Sequence, residues 1–412
     1  MSYKIAGIDV HKSVLMVVVI EASTPEGKPE RRRFRTMASD LRRLSTWLQE
    51  QGVEEAVMES TAQYWRPVWL ELEPYMRLQL AQAFSNRAPR GRKHDFKDAE
   101  RLVRRLIAQE LILSFVPDQE QRTWRTMTRM KTQLTRDRVR LQNQVECLLE
   151  EMQIKLSVVV SDLLGASGRR ILWALTEGEM APAKLAALGD NRLRCSEEQL
   201  VDALTGRPQP LHRVMLALQL ERLQLIDTQI AKLNGMIAQA MKPHQDTVMR
   251  LAEVPGLGVD SAHQVIAEVG IQASTFPSAA ELASWVGTCP GKEESAEQNH
   301  SSRSAKGNKY LRRVLNQAAH AAVKKKGSHF QAVFRRLLPR LGYQSAIWAI
   351  AHRLCRVIWK ILHEGVRFIE QGAESDPKVR EKRARILARA LRKLGYDIAI
   401  TPIKSAMPET AS

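Results

Sequence analysis

The run Lys4-Ile-Ala-Gly-Ile-Asp-Val-His-Lys-Ser-Val-Leu-Met-Val-Val-Val-Ile-Glu21 decides the fold. Its halves, Lys4 to Val10 and Val14 to Glu21, are rich in β-branched residues and joined by Asp9-Val-His-Lys-Ser, so they read as two strands. An aspartate closes the first, and an acid in so apolar a setting is costly unless it has a partner. Working outward, Arg31 to Thr36 reads as a third, polar edge strand. Leu41, Leu44 and Leu48 recur at helical spacing with Trp47 beside them, which predicts a helix from Ser39 to Gln51 capped by Ser39. Glu55 to Met58 is a fourth strand that runs into Glu59. A helix from about Tyr64 to Glu73, a strand near Leu78 to Ala83 and a helix from Asp95 to Gln109 follow. That succession is an α/β order with a mixed sheet.

The chain then changes character. Met127, Leu134, Leu141 and Leu148 fall seven apart, with Val145 and Met152 in the offset positions. Leu216, Leu223, Ile230 and Ile237 form a second such set, with Ile226 and Leu233. Two long helices are expected, forming a coiled-coil stalk either within one chain or between protomers. The segment from Ser157 to Pro210 reads as an inserted tip or linker. Val254-Pro-Gly-Leu-Gly258 precedes a helix from Val259 to Val269, and a helix from Ala279 to Val286 precedes a Gly- and polar-rich loop, Gly287 to Gly307. From Tyr310 the chain is expected to be helical to about Gln371, and Pro377 to Leu394 reads as a basic helix before a frayed tail. The expected domains are 1–118, α/β; 119–245, the stalk with 157–210 inserted; 246–371, helical; and 372–412, basic helix and tail.

Lys and Arg number 63 against 45 Asp and Glu, a net charge of +18 over 412 residues. Such an excess favours a polyanionic partner, and nucleic acid is the commonest. The charge is unevenly spread: Gln298 to His363 holds 14 Lys or Arg and no acid. Solvated helices normally mix signs, because like charges at helical spacing repel, so this stretch reads as a binding surface. Cys147, Cys195, Cys289 and Cys355 lie far apart with no C-x-x-C spacing, which fits reduced thiols rather than disulfides or a zinc site. Val14 to Ile20 is too short to span a bilayer, and Tyr343 to Leu362 is interrupted by Arg353, Arg356 and Lys360. No membrane partner and a cytoplasmic location are expected.

Four carboxylates stand out. Asp9 and Glu59 each end an apolar strand, and Asp95 and Asp98 are three apart on one face of a predicted helix. Such a set can bind two hard cations, which clamp the attacking and leaving oxygens of a phosphodiester. Each also has a plainer reading: Asp9 as a turn residue, Glu59 as a cap, Asp95 and Asp98 as acids that favour a helix N-terminus. Arg87, Arg90, Arg92 and Lys93 beside them suit a phosphate backbone.

Gly7-Ile-Asp9-Val-His11-Lys, Met58-Glu59-Ser-Thr61-Ala-Gln-Tyr64-Trp65 and Lys93-His-Asp95-Phe-Lys97-Asp98-Ala99 together resemble the DEDD-type insertion-sequence transposases, the IS "one-ten" family with its "eleven-eleven" subgroup. The order of elements resembles the RNase H-like fold in its RuvC-like form. That resemblance implies a catalytic, metal-binding set of Asp9, Glu59, Asp95 and Asp98 working with Mg²⁺. Val254 to Gly258 looks like the family's helix-hairpin-helix element, whose backbone at Gly256 and Gly258 would hold a phosphate; a plain connection between helices is the alternative. Cys289-Pro-Gly291 through Glu294-Ser295-Ala296 to Lys306-Gly-Asn-Lys309-Tyr310-Leu-Arg312-Arg313 resembles the family's serine motif, which implies Ser295 as the nucleophile of a covalent phosphoserine–DNA intermediate.

The sequence departs from the family at two places. Glu297-Gln-Asn-His follows Ser295-Ala296 where Gly and basic residues are usual, so Ser301 and Ser302 remain second candidates. Ala62 stands where a Gly is common. The resemblance also implies a structured guide RNA that pairs with donor and target DNA. Arg122, Arg125, Arg129, Lys131, Arg136, Arg138 and Arg140, with Trp124, form a basic helix face that could hold it, or a solvated flank of the stalk. Arg303, Lys306, Lys309, Arg312 and Arg313 are the expected contacts near the serine. The expected protein is an RNA-guided DNA recombinase acting as a dimer or tetramer. Its rivals are a metal-dependent RuvC-like nuclease or junction resolvase, and a non-catalytic nucleic-acid-binding scaffold.

Overall fold

The computed structural model describes residues 3–23, 28–59, 62–86, 95–289, 293–295, 298–301, 304, 306–370 and most of 384–397; for 84, 95, 293–295 and 298–301 it describes the backbone alone. The chain divides into two compact units, Met1–Asp118 and Gln119–Ser412.

In the first unit, β1 (Lys4–Val10), β2 (Val14–Glu21), β3 (Glu30–Arg35), β4 (Val53–Glu59) and β5 (Arg77–Ala81) form one sheet in the order β3-β2-β1-β4-β5. β1 pairs antiparallel with β2 and parallel with β4, so the sheet is mixed. Strand residues alternate between faces. Ala6, Ile8, Val10, Leu15, Val17, Val19, Ala56 and Met58 therefore face one way. There they pack under α1 (Ala38–Glu50) and α2 (Trp65–Leu72) through Leu41, Leu44, Leu48, Val68 and Leu72. Ile5, Val18, Ile20, Val57 and Ala81 face the other way, against Ala99, Leu102 and Val103 of α3 (Asp95–Ile107).

Gly7 is what lets α3 come close, because a Cβ there would lie 2.1 Å from the carbonyl oxygen of Ala99 and 2.8 Å from Val103 Cγ2. The helix over 38–50 is not capped by Ser39. It begins one residue earlier, Met37 occupies the cap position without a side-chain bond, and Ser39 sits inside the first turn.

The second unit is mostly helical. α4 (Gln119–Glu151) and α9 (Pro210–Ala240) run along each other within the chain. The segment between them folds into four short helices, α5 (Leu156–Val159), α6 (Ala166–Glu177), α7 (Pro182–Ala186) and α8 (Glu197–Leu204). These close a core in which Leu141, Val145 and Leu148 of α4 meet Ile171, Leu172, Leu185, Leu200, Leu216, Leu220 and Leu223.

α10 (Gln245–Ala252), α11 (Val259–Val269), α12 (Ala279–Val286), α13 (Lys309–Ala322) and α14 (His329–Glu364) form the remainder, with β6 (Glu293–Ser295) and β7 (Gln298–Ser301) between α12 and α13. The expected polar loop thus contains a two-stranded antiparallel hairpin, which its polar residues, lacking apolar alternation, do not announce. The stretch from Tyr310 to about Gln371, expected to be helical, forms two helices. α13 ends at Ala322, the chain turns through Gly327 (φ +75°), and α14 starts under a Ser328 cap that accepts from Gln331 N at 3.1 Å, kinks at Gly342 (φ +72°) and ends at Glu364. The predicted basic helix over 377–394 lies mostly outside the described residues. Among the described residues no helix is long and apolar enough to cross a membrane.

Candidate active site and nucleic-acid interface

Alternation along β1 and β4 decides where the acids go. Gly7 and Asp9 lie on one face of β1, Val57 and Glu59 on the same face of β4, and β1 and β4 are parallel neighbours through Ile8 and Met58. Asp9 and Glu59 thus end adjacent strands on the face covered by α3. Asp98 precedes Ala99, whose backbone rests on Gly7. The topology puts Asp9 and Glu59 at the C-terminal ends of two adjacent interior strands, on the face where α3 carries Asp98.

Each of these three carboxylates has a neighbour of its own. Asp9, 7% exposed, lies 3.1 Å from His11 Nε2. Glu59 accepts from Asn86 Nδ2 at 2.9 Å, and Asp98, 8% exposed, accepts from Arg101. Arg101 Nε in turn donates to the backbone oxygen of Asn86 at 3.1 Å, which ties the Glu59 and Asp98 sides together. Among the described residues no three His, Cys, Asp or Glu side chains are grouped as metal ligands; the side chain of Asp95 lies outside them. The donor chemistry, oxygen-only and anionic, is that of a site for a hard divalent cation. Ala62, which stands where a Gly is common, has φ +48°, a left-handed conformation that glycine favours. Arg87, Arg90, Arg92 and Lys93 lie outside the described residues.

In the second unit the backbone of Ser295 ends β6 opposite Gln298; its side chain, like Ser302 and Arg303, is outside the described residues, and Ser301 is seen as backbone in β7. Gly307 and Asn308 build the base of that hairpin. A Cβ on Gly307 would lie 2.1 Å from the carbonyl oxygen of Val286, so the glycine of Lys306-Gly-Asn brings the returning chain against the end of α12. Asn308 caps α13 by accepting from the N–H groups of Tyr310 and Leu311, each at 3.0 Å.

Asn308 also donates to Glu268 Oε2 at 2.7 Å. Glu268, 2% exposed, is a hub that sequence reasoning missed. It accepts two bonds of 2.8 Å from Arg129 and lies 3.5 Å from Arg125 Nε. Burial would lower the pKa of Arg129, and the bonds and charge of Glu268 outweigh it, so the net shift is upward. The signal was a lone acid inside the apolar run Val265-Ile-Ala-Glu-Val269.

Several expected phosphate contacts therefore have partners inside the protein. Arg125 is buried and donates to the backbone oxygens of Ala267 and Glu268 at 3.0 and 2.6 Å, and Arg129 is held by Glu268, so these two guanidiniums bind α11. Arg138 donates to Asp227 at 2.7 Å. Arg312 donates to the backbone oxygen of Gly287 and lies over the Trp348 ring at 4.5 Å. Arg313 is half-buried, and burial followed by the charge of Arg136 lowers its pKa. Lys306 and Lys309 are exposed, and Arg122 is half-buried. Gly256 (φ +88°) allows its turn to touch α13, since a Cβ would lie 2.1 Å from the oxygen of Ala318; Gly258 precedes α11 with open space around it.

Comparison with known proteins identifies the class. Residues 6–154 match a model of the DEDD type described as a transposase, and residues 248–335 match the Transposase IS116/IS110/IS902 family. A "Probable family 20 transposase" of Pseudomonas aeruginosa is 28% identical over 308 residues, covering 73% of this chain and 81% of the relative. The two matches span both the acid-bearing sheet and the hairpin with its flanking helices, so the enzyme is a DNA transposase. The chain belongs to the IS110 family of DEDD transposases. Membership implies DNA as substrate and a divalent metal ion in the reaction.

Proposed function

We propose that the protein cuts, exchanges and rejoins DNA strands through Ser295, with Asp9, Glu59, Asp95 and Asp98 as its metal-holding acids. The observation that carries this reading is that Asp9 and Glu59 lie at the C-terminal ends of the adjacent interior strands β1 and β4, on the face packed by the helix that begins at Asp95 and bears Asp98. The strand order β3-β2-β1-β4-β5, with β2 antiparallel, supports an RNase H-like, RuvC-like domain. Bound Mg²⁺ would neutralise charge developing on the phosphate oxygens.

The chain's own residues do the rest. The Ser295 hydroxyl oxygen bonds to phosphorus and its proton passes to water. The bond from phosphorus to the leaving deoxyribose oxygen breaks, and that oxygen takes up a proton. A hydroxyl of the second strand then attacks the phosphoserine and releases the serine, so each step conserves the number of phosphodiester bonds. His11 beside Asp9 and Arg101 beside Asp98 orient the acids.

The turn between α10 and α11 supports a helix-hairpin-helix contact with the DNA backbone. The heptads of α4 and α9 support a coiled coil. Leu211, Leu218 and Leu225 of α9, seven apart and all exposed, support a second copy of the chain, hence a dimer or tetramer. Family membership and the acid-free stretch 298–363 support a structured guide RNA.

The test is a supercoiled donor plasmid with its guide RNA, scored for strand breaks and for a covalent protein–DNA species on a denaturing gel. Ser295→Ala, Asp9→Ala and Asp98→Ala should each lose cleavage, the covalent species and recombination. Cleavage that survives in Ser295→Ala replaces this reading with a nuclease or resolvase that uses water. DNA binding without strand transfer in any variant, wild type included, replaces it with a scaffold.

A further inference from the structure

The hairpin that carries Ser295 leaves and re-enters the second unit at one place. Thr288, before Cys289-Pro-Gly291, and Ser304, before Lys306-Gly307, both line the same hollow of about 700 Å³. Its other walls are Trp348, His352, Arg353 and Arg356 of α14, with Gln344 and Ser345 at the mouth. Arg312 covers the Trp348 ring at 4.5 Å and reaches Ser304 Oγ at 3.4 Å, so a cation sits between the indole and the hairpin base. Arg353 and Arg356 are exposed. Among the described residues no acid lines the hollow. The surroundings are strongly positive: burial first, then Arg356 and Arg353, lower the pKa of His352. Arg353 and Arg356 also line a second hollow of about 510 Å³, which continues past Lys360 and Arg367.

We propose that this cleft holds one unstacked nucleotide of the DNA strand next to the scissile phosphate. Its base lies on the face of Trp348 opposite Arg312, and its phosphates lie against Arg353 and Arg356. An aromatic platform flanked by guanidiniums is the chemistry of single-strand binding, because every base has a π-face and every link a negative charge. A hollow of this volume takes a nucleotide and excludes a duplex. The cleft would keep the cut strand at the root of the serine hairpin between cleavage and rejoining. The proposal takes only the choice of strand from the reading of Ser295; the cleft and its nucleotide chemistry stand on their own geometry.

The experiment uses the full chain and a single-stranded oligodeoxynucleotide carrying 2-aminopurine, whose fluorescence is quenched on stacking. Trp348→Ala should weaken binding by roughly tenfold and abolish the quenching, while duplex affinity is unchanged; Trp348→Phe should keep most of both. Arg353→Gln with Arg356→Gln should weaken binding and flatten its salt dependence. Unchanged quenching in Trp348→Ala, or equal losses for single strand and duplex, overturns the proposal. Tighter binding of the matching RNA oligonucleotide overturns the assignment to DNA. Ser295→Ala should bind the oligonucleotide as wild type does. If that variant still forms a covalent species, the serine reading fails and the cleft survives. If a folded Trp348→Phe protein binds and quenches no better than Trp348→Ala, the cleft fails and the serine reading survives.

Discussion

A methyl group at position 7 would have to occupy space already held by the carbonyl oxygen of Ala99, 2.1 Å away. Gly7→Ala is therefore expected to lift α3 from β1, at a cost of roughly 1–3 kcal/mol in urea denaturation. Because Asp98 adjoins Ala99, it should also lose metal-dependent DNA cleavage. Gly235→Ala is the contrast: it lies inside α9 with nothing within 4 Å of its missing Cβ, and it should gain about 0.5–1 kcal/mol. A Gly7→Ala enzyme with full activity and stability would remove the close approach from the account. At this scale the sequence is legible where a residue breaks its surroundings. Asp9 and Glu59 end apolar strands, and the structure puts them on one face. Arg125 and Arg129 were not legible, because a long basic side chain on a helix looks solvent-directed until its partner is known. Their partner, Glu268, is 143 and 139 residues away in sequence.

Asp227 of α9 joins three elements, accepting from Arg138 of α4 at 2.7 Å and from Arg169 of α6. Burial alone would raise its pKa, but the two guanidiniums outweigh it and the carboxyl sits below its ordinary value of 3.8. The sign then follows from linkage. A depressed folded pKa contributes stability that is present above pH 3.8 and is lost as pH falls through the lower, folded value. Asp227→Asn should melt below wild type at neutral pH, and the gap should narrow only beneath pH 3.8. A gap independent of pH would mean that the side chain acts by shape alone. Elements with strong apolar periodicity, β1, β2, β4, α1, α4 and α9, were legible for the same reason that they are stable: burial imposes their period. The β6–β7 hairpin and the break at Gly327 were not. The hairpin strands are Glu-Glu-Ser and Gln-Asn-His-Ser, with no apolar residue to mark them, and the break follows an Ala-rich helix whose composition does not forecast an end. The short helices α5 to α8 take their place from the core they share with α4 and α9, which no local pattern shows.

Over the whole molecule, charge is divided as unevenly as structure is. Of the net +18, residues 1–118 carry +3 and residues 119–412 carry +15, and the stretch from Gln298 to His363 alone contributes +14. The remainder of the second unit is therefore nearly neutral. Part of that +14 is turned inward, as Arg312 shows, but Lys324, Lys325 and Lys326 are exposed together at the turn between α13 and α14. Long-range attraction to a phosphate backbone depends on such exposed charges, and each phosphate neutralised releases counterions. The logarithm of the binding constant then falls by about 0.9 per contact for each unit of log salt on duplex DNA. Replacing the three lysines by Gln should reduce that slope by roughly 2–3 on duplexes of any sequence. Replacing Arg42, Arg43 and Arg66 of the first unit, all exposed, removes the same charge from the other unit. That second variant should leave the slope nearly as it was, because net charge in itself does not set it; contact with phosphate does. Equal changes from the two triple variants, measured as duplex affinity from low to physiological salt, would show that DNA is drawn by the total charge of the chain. A change confined to the lysine variant places the duplex on the α13–α14 turn, in the unit that holds the serine hairpin.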